Sequence, residues 1–165
     1  MLLYLMRHAA AGGGESEGIP VDNDPGLTPQ GMVKARGAAR GLVRLEAHPS
    51  VVLSSPLLRA LQTSEIVSEE LGLPPDQIRR SEALRPGSPV KLFLEELSGI
   101  GTEEVLCVGH SPDLDDLVSR VLRCPSRITA LKKASVACLQ IDSLSPAQGV
   151  LLWLHPQKVL RRLGK

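Results

Sequence analysis

Arg7 and His8 stand side by side at the end of an apolar run. Arg59 follows a Ser-Ser-Pro-Leu-Leu stretch, and His110 lies between Gly109 and Ser111 behind another apolar run. Two guanidinium groups can hold phosphoryl oxygens in a bidentate fork, and two imidazoles can supply a nucleophile and one further donor. A nucleophilic imidazole must be neutral, and nearby Arg charges disfavour the imidazolium, pushing its pKa below the ordinary value of about 6.5. His8, joined directly to Arg7, suits the nucleophile's role, and Ser111 adds a hydroxyl as a further phosphate contact. Each segment alone has a bland explanation. An Arg-His pair at a strand end is more often a surface cap, and Gly-His-Ser more often a turn before a helix. Three such segments, each behind a strand, favour a phosphate pocket.

Bringing them together is the work of a sheet. The short apolar runs at 2–6, 51–53 and 105–108 read as strands buried on both faces, the pattern of a parallel sheet core. Helices separate them. Thr28 and Pro29 read as N-cap and first helical position, with Met32, Ala35, Ala39, Leu42 and Val43 at helical spacing toward an end near Ala47. Ser55 and Pro56 open a second helix, carrying Leu57, Leu61, Ser64, Ile66 and Val67 before Leu71 and a stop at Gly72. Ser88-Pro89 repeats the start signal. A fourth helix follows Ser111-Pro112, with Leu114, Leu117, Val118, Val121 and Leu122 on one side. The runs at 136–141 and 150–154 predict two antiparallel strands, and 156–163 a short basic helix. This alternation implies an α/β fold: a three-layer α/β/α sandwich with a mostly parallel central sheet and right-handed crossovers. In such sheets ligands sit beyond the carboxyl ends of the strands, where all three polar segments would lie. The stretch from Ala9 to Gly26 holds Gly12, Gly13, Gly14, Gly18, Pro20 and Pro25 and has no periodicity, so it reads as a mobile surface loop. Its glycine triplet lacks the Lys-Ser or Lys-Thr ending of a nucleotide-binding loop.

Composition narrows the partners. At 165 residues the chain fits one domain, 1–165, large enough to bury a core without staples. A net charge of +1, from 19 basic and 18 acidic side chains, recruits neither nucleic acid nor an anionic membrane. Tyr4, Phe93 and Trp153 are too few aromatics for a base-stacking platform. Cys107, Cys124 and Cys138 are odd in number and far apart, which suggests a reducing cytoplasm and no zinc knuckle. The apolar start is cut by Arg7 and His8 before it reaches the length of a signal peptide or membrane span. His48 and His155 fall at element boundaries. Arg85, Lys132 and Lys133 are candidate rim contacts or plain surface charges, and Asp113, Asp115 and Asp116 read as first-turn helix acids, not a metal cluster.

Nearly the whole chain resembles the histidine phosphatase superfamily, with its phosphoglycerate mutase-like fold. Leu5-Met6-Arg7-His8-Ala9 looks like that family's strand-ending Arg-His-Gly motif, and Leu27-Thr28-Pro29-Gln30-Gly31 resembles the segment opening its first helix. Ser54-Ser55-Pro56-Leu57-Leu58-Arg59-Ala60-Leu61-Gln62-Thr63 is similar to the motif bearing the second arginine, and Val108-Gly109-His110-Ser111 to the second histidine motif. The resemblance implies a reaction without metal or cofactor. His8 attacks phosphorus, a phosphohistidine forms, and water discharges it, with Arg7, Arg59 and His110 stabilising the equatorial oxygens. Ala9 replaces the usual glycine and is expected to narrow the room beside the phosphate. Only 51 positions separate Arg59 from His110. That compactness resembles the SixA-type phosphohistidine phosphatases, whose open site implies a phosphorylated protein as substrate. The 23–28 segment is only loosely similar to the SixA-like one, where an Arg-Pro pair is common. Glu82, in the 81–87 stretch, is the candidate general acid for cleaving phosphate esters. An alkoxide's parent acid has a pKa near ~15.7, as for water, against ~6.5 for imidazole, so phosphohistidine cleavage needs far less proton donation. Two alternatives stand beside this: a phosphatase or mutase acting on a small phosphorylated metabolite, and a non-catalytic phosphate-binding module.

Overall fold

Alternate residues of a strand point to opposite faces of its sheet, and in this chain the central strands are apolar on both. The computed structural model describes residues 1–12 and 24–165. Six strands, β1 (Leu2–Arg7), β2 (Val51–Ser54), β3 (Ile78–Arg80), β4 (Glu104–Gly109), β5 (Val136–Leu144) and β6 (Ala147–His155), form one sheet in the order β3-β2-β4-β1-β5-β6. The first four are mutually parallel, whereas β5 runs antiparallel to β1, and β6 to β5. Leu3, Leu5, Leu53 and Cys107 meet Phe93 and Leu97 of α3 (Val90–Ser98) and Leu114, Leu117 and Val118 of α4 (Asp113–Val121). Tyr4, Met6, Val52, Leu106 and Val108 meet α1 (Pro29–Arg44), α2 (Leu58–Leu71) and α5 (Gln157–Leu163). The α/β sandwich expected from the sequence is therefore present, with helices on both faces of the sheet.

Local differences from expectation have physical reasons. α1 turns a stripe of small residues, Gly31, Ala35, Ala38, Ala39 and Gly41 with Leu42, toward the core, and leaves Met32 and Val43 exposed. Small residues are required there because α5 approaches closely: a Cβ on Gly41 would lie 2.3 Å from the Leu160 carbonyl oxygen. Thr28 is the N-cap, accepting from Gly31 N at 3.0 Å, but the helix stops at Arg44, before a turn in which Glu46 takes φ 54. α2 begins at Leu58, not Ser55. Ser55 N still bonds the Val108 carbonyl at 2.9 Å, prolonging the sheet by one residue. Gly72 ends α2 at φ 72, the left-handed conformation that glycine adopts without steric cost. β3 has no signal in the sequence, because its three residues are half-buried or exposed and show no apolar run. The predicted loop at 9–26 falls largely on residues outside those described. Of its flanks, Ala11 bridges Leu27 and Gly12 N donates to the Gly26 carbonyl. Among the described residues no helix is long and apolar enough to cross a membrane.

Gly31 seats α1 against the segment that follows His8. A Cβ there would stand 2.0 Å from the Ala10 carbonyl oxygen, a backbone atom with no rotamer to yield. Gly31→Ala should therefore lower the unfolding free energy by about 1–3 kcal/mol in denaturant titration. Gly99→Ala, where the nearest atom is 3.6 Å away at ordinary φ, should change it by less than about 0.5 kcal/mol.

Candidate active site

The register of the parallel strands decides which side chains meet. Arg7 pairs with Gly109 and Ser54 with Val108, so β1, β4 and β2 end level with one another. His8 N then bonds the Gly109 carbonyl at 3.0 Å and Ser55 N the Val108 carbonyl, carrying the ladder one residue further. His8, His110 and Ser55 consequently emerge as neighbours at the carboxyl edge of the sheet. The two imidazole rings lie 5.0 Å apart, tilted by 54°, and are only 2% and 4% exposed.

His8 is held by its own backbone neighbourhood. Its Nδ1 lies 2.7 Å from the Ala9 carbonyl oxygen. A carbonyl only accepts, so Nδ1 carries the hydrogen, and the neutral ring keeps its lone pair on Nε2. Burial is the main force lowering the His8 pKa to about 4. The Ala9 bond works in the opposite direction, while the Arg59, Arg7 and Lys133 charges add to the lowering. Burial likewise takes His110 to about 3, helped by His8, Arg59 and Arg7. Both rings are neutral at pH 7, and the fixed positive charge comes from Arg7, Arg59 and the half-buried Lys133. His110 Nε2 meets the hydroxyl of the fully buried Ser55 at 2.9 Å, which fixes the ring's plane.

Each arginine is braced from behind. Arg7 Nη1 donates to the Leu131 carbonyl at 3.0 Å, and Ser111 Oγ donates to the same oxygen at 3.3 Å. That stretch is pinned by Asp115, 2% exposed in the first turn of α4, whose Oδ1 accepts from Leu131 N at 2.9 Å and Thr129 Oγ1 at 2.7 Å. Arg59 sits in the first turn of α2, 18% exposed at its side chain, with Nη1 3.4 Å from Asp24. Thr63 ties that turn to the segment after His8, donating to the Arg59 carbonyl at 2.7 Å and accepting from Ala9 N at 3.1 Å. Gln62 accepts from Leu27 N at 2.7 Å. The polar residues around Arg59 thus make separate bonds to His110, Ala9 and Leu27. Converging guanidinium groups, a neutral imidazole with a free lone pair and a second imidazole beside it can bind a phosphoryl group and accept it covalently.

The other candidates fare differently. Glu82 follows β3 at the same edge, but its side chain is 74% exposed and ion-paired with Arg85. Its neighbours Ala83 and Leu84, not Glu82, line a small apolar cavity reaching His110 and Asp113. Ala9 is fully buried in the cluster under α1 and α2. Asp113 accepts from Gly87 N and Asp116 pairs with Arg127, so the three acids of α4 serve separate structural bonds. His48 is exposed, and His155 stacks on Trp153. Sequence reasoning missed the positions of Ser55, Thr63, Asp115 and Asp24. The first two lay in the quoted Arg59 motif, where buried hydroxyls at fixed offsets are the available signal; for the acids there is none.

The family profile "Histidine phosphatase superfamily (branch 1)" matches residues 3–85. The phosphohistidine phosphatase SixA of Escherichia coli is 30% identical over 145 residues, which cover 86% of each chain. A 2,3-bisphosphoglycerate-dependent phosphoglycerate mutase of Methylobacterium radiotolerans is 35% identical over 103 residues, but the match spans only 46% of the mutase. Among solved structures, the protein histidine phosphatase SixA complexed with tungstate superposes with a TM-score of 0.80 at 28% identity, covering 97% of this chain and 99% of that one.

Two buried neutral histidines make stability depend on pH in a defined direction. Their folded pKa values of about 4 and about 3 lie below the ordinary 6.5, so the unfolded chain binds protons first. Their contribution is complete above pH 6.5 and is lost as pH falls toward 4, at up to ~1.4 kcal/mol per pH unit for each ring. NMR titration should show no inflection of either ring between pH 7.5 and 5. Urea midpoints of His110→Gln should fall less steeply with acid than those of the wild type. A His8 inflection near 6.5 would contradict the burial and charge account.

Proposed function

This chain belongs to the histidine phosphatase superfamily, and we propose that it removes phosphate from phosphohistidine in a partner protein through a covalent intermediate on His8. The observation that carries the reading is the Nδ1 bond of His8 to the Ala9 carbonyl, which leaves Nε2 unprotonated in a ring that burial keeps neutral. In the first step the Nε2 lone pair attacks phosphorus. An Nε2–P bond forms, the P–N bond of the substrate breaks, and the leaving imidazole takes a proton from solvent. In the second, water attacks the phosphoenzyme, releasing phosphate and a proton and regenerating neutral His8. Arg7 and Arg59 balance the charge on the equatorial oxygens in both steps, and His110 supplies a further ring contact. Ser111 joins the phosphate contacts by redirecting the hydroxyl it now gives to Leu131.

The substrate assignment is supported by similarity to SixA over most of both chains and by the exposure of Glu82. An imidazole leaving group needs little help from an acid, whereas an alkoxide does. Hydrolysis of a small phosphate ester is the second reading, favoured by the similarity to the phosphoglycerate mutase; there Glu82 would have to leave Arg85 and act as the acid. The single-domain, metal-free and cytoplasmic character of the enzyme forms part of the proposal, and the three free thiols suit a reducing compartment.

Side-by-side hydrolysis of a phosphohistidine protein and a panel of small esters tests it, with His8→Ala as the blank. The phosphohistidine rate should exceed every ester rate, and labelled phosphate should be trapped on wild type but not on His8→Ala. Arg59→Ala should lower kcat/KM by about 10²–10³, and EDTA should change nothing. Faster ester turnover would overturn the substrate assignment, and labelling that survives in His8→Ala would overturn the nucleophile.

A further inference from the structure

The phosphate-binding arginine of α2 carries a counter-ion from another part of the chain. Asp24 Oδ1 accepts from Arg59 Nη1 at 3.4 Å, while its Oδ2 accepts from Leu58 N at 2.6 Å. Leu57, at the N-cap of α2, offers no side-chain capping bond, so Asp24 satisfies from outside one of the amides that a helix start leaves open. One carboxylate therefore does two things. It caps α2, where the helix dipole welcomes an anion, and it holds a negative charge against a guanidinium that a substrate must use. With 39% side-chain exposure against 18% for Arg59, Asp24 is the more open of the pair.

From this arrangement we infer that Asp24 is a specificity-determining residue, which admits a lone phosphoryl group and disfavours substrates bearing a second anionic group beside it. The inference rests on the reading of Arg59 as a phosphate ligand. A phosphoryl group entering the site gains Arg7, Arg59 and the field of Lys133 and meets the Asp24 carboxylate. A second phosphate or carboxylate on the same molecule adds repulsion from Asp24 in proportion to its charge, and like charges set against each other are a standard means of rejecting a ligand. Phosphohistidine passes this filter, since the imidazole bearing its phosphoryl group is no anion. Compounds with a carboxylate or a second phosphate next to the first do not. Asp24 acts on selectivity by charge alone, so its capping and filtering roles can be separated. An asparagine keeps an oxygen for Leu58 N and removes the charge; an alanine removes both.

Calorimetric titration of wild type, Asp24→Asn and Asp24→Ala with orthophosphate and with pyrophosphate provides the test. Asp24→Asn should bind orthophosphate about threefold and pyrophosphate about tenfold tighter than wild type, with gains that shrink at high salt. Its thermal midpoint should stay near that of the wild type, while Asp24→Ala should show the same affinity gains with a lowered midpoint. A purely structural role would raise neither affinity. Unchanged or weakened binding in both variants, or equal gains for the two anions, overturns the inference while leaving the pocket assignment intact. If wild type binds neither anion, the pocket assignment falls and the inference with it.

Discussion

Everything at the candidate site follows from the level ending of three parallel strands. The His8 N bond to the Gly109 carbonyl and the Ser55 N bond to the Val108 carbonyl continue the ladder past the strands. His8, Ser55 and His110, far apart in the chain, thereby become neighbours. A slip of one residue in β4 against β1 would send His110 to the opposite face. Polarity does not forbid it, since both faces are apolar; the fit of Leu3 and Leu5 against α3 and α4, and of Tyr4 and Met6 against α1, α2 and α5, does. Core packing and site geometry are in this sense one constraint.

Burial at that edge then sets the chemistry. Two imidazoles taken out of water cannot afford a proton beside two guanidinium groups, so both stay neutral near pH 7. Arg7 is held by the Leu131 carbonyl, and Thr63 bonds the backbone carbonyl of Arg59, steadying the first turn of α2. Asp115, a buried acid behind this framework, acts through Leu131 and Thr129 and so braces Arg7 at one remove. Asp24 places a carboxylate directly on the Arg59 guanidinium.

The sequence made Arg7, His8 and His110 legible because their signal is local, a polar residue at the end of an apolar run; Arg59, in the first turn of α2, is legible through the Ser-Ser-Pro-Leu-Leu stretch before it. The same holds for Thr28 and Gly72, whose roles depend on the nearest backbone atoms. It fails where a role is set by distant partners. The apolar spacing of Met32 and Val43 suggested burial, but the close approach of α5 selects small residues and rotates the buried stripe away from them. β3 carries no pattern because it is a three-residue edge strand. Asp115 and Asp24 are ordinary helix-turn and loop acids until the fold brings Leu131 and Leu58 to them.

The exposure of Glu82 fits this economy. A phosphatase that must expel an alkoxide needs a protonated acid held beside the leaving oxygen, and holding one requires elements that bury it and raise its pKa. Here the segment after β3 is a single short turn whose carboxylate is paired with Arg85 in solvent. The connection from Arg59 to His110 contains α2, that turn, β3, α3 and β4, leaving little chain for a cover. An imidazole leaving group, already near neutrality when it departs, asks for no such machinery. The short connection and the exposed Glu82 thus both support the proposed phosphohistidine substrate over a phosphate ester.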